Sequence, residues 1–213
     1  MTKKSNGRAR FIVLPGAVIF LAALVICCSP HPGSGPGAGP GVSVPPVVLT
    51  GVFVDGPVGG INYSTSTIKG VTRADGAFEY RTGETVTFSI GALTLGCTKG
   101  KPRVTPLDIV PDATNTFDQR VVNICVVLQT LDQDGNADNG ILINQQVASF
   151  VSRYGREINF NKPVHAFSFD AGFRNVMAEL NNIDAFGTTP RAVKPPALAR
   201  KHLEASLANL KIN

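Results

Sequence analysis

The chain has 213 residues and a formal net charge of +5. A basic balance suggests nucleic acid, but Lys3, Lys4, Arg8 and Arg10 open the chain with no acid among them, and without them the charge is only +1, which excludes that partner. With no Trp and only three Tyr, an aromatic sugar-binding platform is excluded as well.

After the basic opening comes "FIVLPGAVIFLAALVI", residues 11–26. As a helix it reaches about 24 Å at 1.5 Å per residue, short of a bilayer core of roughly 30 Å. Basic residues followed by a short apolar run predict a signal peptide over 1–27, with a permanent N-terminal membrane anchor as the alternative. The run closes in "LVICCSP". This stretch resembles the lipobox of bacterial lipoproteins, in which a cysteine takes a diacylglycerol and becomes the new N-terminus after cleavage. Cys28, preceded by the small Cys27, fits better than Cys27, preceded by the bulky Ile26, and both remain lipidation candidates. Ser29 stands after Cys28 where an Asp would divert the family's members. The resemblance therefore implies lipid anchoring in the outer membrane, on the periplasmic or the external face. Several acyl chains hold a protein stably where one would be marginal.

Residues 28–46 hold "SPHPGSGPGAGPGVSVPP", too rich in Gly, Pro and Ser to bury a core. They are expected to be a disordered tether, His31 included. The folded body is then 47–213, long enough for one domain or two small ones.

Residues 47–112 read as strands. In "GETVTFSIG", Val86, Phe88 and Ile90 alternate with Thr85, Thr87 and Ser89, the period of a half-buried strand. "GAFEY" places Phe78 and Tyr80 on one face, and "ADG" and "RTG" mark hairpin turns. "VVLTGVFVD" and "GGINYST" supply further strands. Short strands at this spacing predict a small antiparallel β-sandwich.

"TGVFVDGPVGGINYST", "GVTRADGAFEYRTGETVTFSIGALTLG" and "VTPLDIV" together resemble a module of bacterial lipoproteins and secreted, adhesin-like proteins. Thr72 to Gly83 also resembles the carboxypeptidase-regulatory-like (prealbumin-type) β-sandwich, in which Asp75-Gly76 makes the turn and Phe78 plugs the core. Gly56 departs from the small hydroxyl residue expected before Pro57. The likeness runs on through "NICVVLQTLDQDGNADNGI" to "KHLEASL", covering most of 50–207. It implies an architecture and no particular activity.

From about residue 113 to 213 the period becomes helical. Thr116 and Gln119 form a candidate capping box. Val121, Ile124, Cys125 and Leu128 follow at helical spacing, as do Val147, Phe150, Val151 and Tyr154. Phe173, Val176, Met177 and Leu180 follow Asp170 as N-cap, and Ala199, Leu203, Leu207 and Leu210 make the last stripe. Each stripe is read as core. The expected fold class is α+β, a small N-terminal antiparallel sandwich followed by three to four helices packed on it.

"LQTLDQDGNADNGI", residues 128–141, gathers side-chain oxygens between two helical patterns. Asp132, Asp134, Asn136 and Asp138 are its candidate metal ligands, and calcium is the fitting ion, since hard cations take several converging oxygens. An EF-type register starting at Asp134 meets Asn139 where glycine belongs and Gln145 where a bidentate carboxylate belongs. One starting at Asp132 meets Ala137 at the glycine position. The alternative is a helix C-cap and solvated polar turn, which the same residue types favour.

Cys97 and Cys125 remain after processing. In an oxidising envelope compartment they either form a disulfide, stabilising by roughly 3–4 kcal/mol on the chain-entropy model, or stay as buried thiols. Catalytic motifs such as G-x-S-x-G and H-E-x-x-H do not occur. His165 and His202 read as structural, and Glu79 and Glu84 as solubility charges on a hairpin. The expectation is a non-enzymatic, lipid-anchored envelope protein acting as a binding, adhesion or structural module, with a protein or cell-surface partner. An accessory subunit of an envelope enzyme, or a small-ligand carrier using a cleft between sandwich and helices, is the rival.

Overall fold

A computed structural model describes residues 47–212. The targeting segment 1–27, the tether 28–46 and both lipidation candidates, Cys27 and Cys28, lie outside them. The strands come first. β1 (Val48–Phe53) pairs antiparallel with β5 (Ala77–Arg81) and, over its last two residues, parallel with β8 (Arg103–Val104). The second sheet runs β4 (Lys69–Val71), β3 (Asn62–Ser64), β6 (Thr85–Ile90), β7 (Leu93–Lys99), with every pairing antiparallel. The alternation in β6 faces as expected: Val86, Phe88 and Ile90 are fully buried, and the residues between them only partly.

Aromatic rings from the two sheets meet at the centre. Phe88 of β6 lies 4.7 Å from Phe53 of β1 and 5.0 Å, edge-on at 86°, from Phe78 of β5, measured between ring centroids. Tilted and edge-to-face arrangements are those that the ring quadrupoles favour. The sheets thus pack face to face, and the expected sandwich preceding the helices is present.

The helical half is built on α1 (Gln119–Thr130), in which every residue from Val121 to Thr130 is buried. A helix apolar on most sides belongs inside a core. Its polar exceptions are bonded to their surroundings: the Asn123 amide donates to the carbonyls of Phe160 and Lys162, and Thr130 Oγ1 accepts from the Lys194 amide. The expected Thr116–Gln119 capping box does not form. The helix is capped instead by Asp118, whose carboxylate accepts from the Arg120 amide, while Thr116 Oγ1 donates to Glu204 on another helix. Aspartate one residue before the helix outcompetes a hydroxyl two residues further away.

Then follow α2 (Gln145–Tyr154), the single-turn α3 (Val164–Phe167), α4 (Ala171–Asn182) and α5 (Pro196–Ile212). Asp170 caps α4 as expected by accepting from the Phe173 amide. Phe160, Phe167 and Phe173 stack in a row at 5.9 and 5.5 Å. One pairing joins the two halves. β2 (Val58–Gly59) runs parallel with β9 (Ile141–Leu142), two residues from each half. Gly60 beside it has φ +81°, and a Cβ there would sit 1.9 Å from the Ile143 carbonyl oxygen.

Candidate functional site

The acidic loop leaves α1 and turns back to β9. Asp132 is 1% exposed, and its Oδ1 accepts from the Leu142 amide at 2.8 Å. The Gln133 amide donates to the Leu142 carbonyl at 2.9 Å, so this edge of the loop is laced to β9. Arg191 closes the end of α1. Its Nη1 donates to the Asp132 carbonyl at 2.8 Å and its Nη2 to the Gln133 carbonyl at 3.3 Å. A cation is favourable where the last carbonyls of a helix point.

Asp134 organises the exposed edge. Its Oδ1 accepts from the Asn136 amide and its Oδ2 from the Asn139 side chain, each at 2.9 Å. These contacts, that with Asn139 foremost, hold its carboxyl below the usual range. Burial pushes the Asp132 carboxyl up. Asp132 Oδ2 is buried and has no donor. The neighbouring Asp134 carboxylate adds to the upward push on Asp132.

Of the candidate ligands, the structure brings Asp132 and Asp134 together. Asn136 is exposed at the loop edge. Asp138, 89% exposed, lies 3.8 Å from His202 Nε2, away from the other two. The four candidate ligands are therefore not gathered as one set, and among the described residues no three His, Cys, Asp or Glu side chains gather as a metal centre. Asp132 and Asp134, with Ala74, Asn139, Gly140 and Leu142, line an open pocket of about 370 Å³.

A second polar cluster lies nearby, inside the core. Asp55 follows β1 and is fully buried. Its Oδ1 meets His202 Nδ1 of α5 at 3.0 Å, and its Oδ2 accepts from Gln129 Nε2 of α1, also at 3.0 Å. His202 Nε2 lies 2.9 Å from the Ala137 carbonyl. Both ring nitrogens thus face acceptors, and both bonds can form together only if both nitrogens carry a proton. The Asp55 carboxylate accordingly raises the His202 pKa above its ordinary value, against the opposing effect of burial. The cluster ties four chain segments, among them α1 and α5, around one ion pair.

Cys125 also reaches Asp55, and burial pushes its thiol pKa well up. It is a free, fully buried thiol. Of the two alternatives for Cys97 and Cys125, the bridge between them is not formed, because Cys125 is a free thiol. The reason is positional, since Cys125 lies on the inward face of α1, enclosed by the core.

Chemically, the Asp55 cluster is a clasp. A general base needs a free lone pair, and each nitrogen of His202 lies within hydrogen-bond distance of an acceptor of the chain itself. A cysteine nucleophile needs a thiolate and access, and Cys125 has neither. His165 is exposed on α3. Glu84 is more than a solubility charge. It accepts from Ser66 Oγ at 2.6 Å and from the Arg81 amide at 3.0 Å, which lowers its pKa to about 2 and ties a hairpin turn to the β3–β4 turn. Sequence reasoning missed Asp55, Gln129 and Arg191. Only Asp55 had a signal, an acid ending an apolar strand just before Gly56-Pro57.

No family model, curated protein or solved structure matches this chain.

Proposed function

We propose that the chain is a lipid-anchored protein of the bacterial outer membrane whose folded body is a non-catalytic binding or adhesion module. The observation that carries this reading is "LVICCSP" closing a short apolar run behind a basic opening, with a Gly/Pro-rich tether after it. The folded body supports it: its part-buried His202 and its buried Cys125 lie against Asp55, where strands meet helices, rather than in a cleft. The partner is a protein or a cell-surface component, met on the periplasmic or the external face. A small-ligand carrier, or an accessory subunit of an envelope enzyme, is the second reading. It draws on the pocket between Ala74 and the 132–142 segment, which strand and helical halves share.

The test is fractionation of the full-length protein in a Gram-negative host fed a labelled fatty acid. The parent should carry label and sediment with the outer membrane. Cys27→Ala together with Cys28→Ala should carry no label and leave the membrane fraction. A double variant that stays membrane-bound with residues 1–26 intact would show a permanent span and overturn the anchoring.

A further inference from the structure

We propose that the pocket bounded by Asp132 and Asp134 is a binding site for a hard divalent cation of the calcium class. This goes beyond lipid anchoring and does not depend on it. Three observations carry it.

The first is the orphaned Asp132 Oδ2, which belongs to a side chain 1% exposed and has no hydrogen-bond donor. Native structures rarely leave a buried carboxylate oxygen without a partner. The second is that Asp132 and Asp134 line the same pocket, open to solvent and roomy enough for an ion with its waters. Neither carboxylate has a Lys or Arg nitrogen within ion-pair distance among the described residues. The third is Asn139, on the wall of the same pocket. Its amide nitrogen now donates to Asp134 Oδ2. A half-turn of that amide exchanges nitrogen for oxygen, so the same side chain becomes a ligand.

Two carboxylates, one amide oxygen and water make an oxygen set that calcium accepts and magnesium, with its strict octahedron, accepts less readily. Arg191, on the Asp132 and Gln133 carbonyls behind the loop, opposes a second positive charge nearby. The affinity should therefore sit in the weak class of extracellular modules, on the order of 10⁻⁴–10⁻³ M. The ion is held at Asp132 and Asp134, not in an EF-hand register through Asp138.

The experiment is calorimetric titration of calcium chloride into the full-length protein, solubilised in detergent and stripped with chelator, with the melting temperature read alongside. One calcium ion per chain should bind and raise the melting temperature. Asp132→Asn and Asp134→Asn should each lose at least about tenfold in affinity, while Asp138→Asn stays within about twofold of the parent. Asp132→Asn keeps an oxygen for the Leu142 amide. Should it nevertheless fail to fold, Asp134→Asn, on the exposed edge, decides alone. Neither heat nor melting shift at calcium well above 10⁻³ M, roughly ten times the weak-class limit, would overturn the site. So would Asp134→Asn binding as tightly as the parent, an equal loss in Asp138→Asn, or tighter binding of magnesium.

Discussion

At the scale of single residues, His202 is the side chain on which most depends. Asp55, Asp138, Gln129 and the Ala137 carbonyl face it from three other segments, and Cys125 shares the same carboxylate. Its pKa is raised in the folded state above the ordinary 6.5. The stability it contributes is therefore present in full below about pH 6.5 and is lost as pH rises through the higher folded value. The melting temperature of the parent should fall across that window, and that of His202→Gln should fall less. Parallel curves for the two proteins would remove the ion pair from the account. Asp55→Ala leaves a largely enclosed imidazolium without its anion and should cost about 3 kcal/mol, read by urea unfolding. None of this was legible from His202 alone, which carries no motif. Its role arises from a strand end that arrives from far along the chain.

At the scale of elements, the periodic ones were legible and the short ones were not. β6 announced itself through Val86, Phe88 and Ile90, and α4 through Asp170 and its apolar stripe, because period and cap are local properties. β2 and β9 have two residues each and no period to read. Their parallel pairing depends on Gly60, where the chain passes with φ +81° against the Ile143 carbonyl. Gly60→Ala should cost about 1–3 kcal/mol for the backbone conformation alone, with more from the contact, and should lower the urea midpoint. An unchanged midpoint would mean that the strand pair adds little. The acidic loop was half legible. Its residue types marked a turn with converging oxygens, but which oxygens converge is set by β9 and by Arg191, both outside the loop's own pattern.

At the scale of the whole molecule, the α+β class followed from a change of period midway along the chain, and the structure bears it out. Cys125 reports on how the two halves come apart. It lies in the core, next to Asp55, at the centre of α1. A thiol so placed reacts only when the surrounding structure opens. Alkylation of Cys125, followed by peptide mass mapping, should be negligible in native buffer and should rise with urea in step with the loss of circular dichroism. Fast labelling in native buffer would mean that α1 opens on its own.

The clasp between Asp55 and His202 also says something about timing. These residues lie 147 positions apart, and β2 also pairs with a distant segment, β9. Contacts between distant parts of a chain form slowly, because a large loop must close before they repay its entropy. During synthesis the strand half emerges first, yet its Asp55 carboxylate lacks the His202 partner until α5 follows. The opening strands thus wait on α5 for the clasp that holds them.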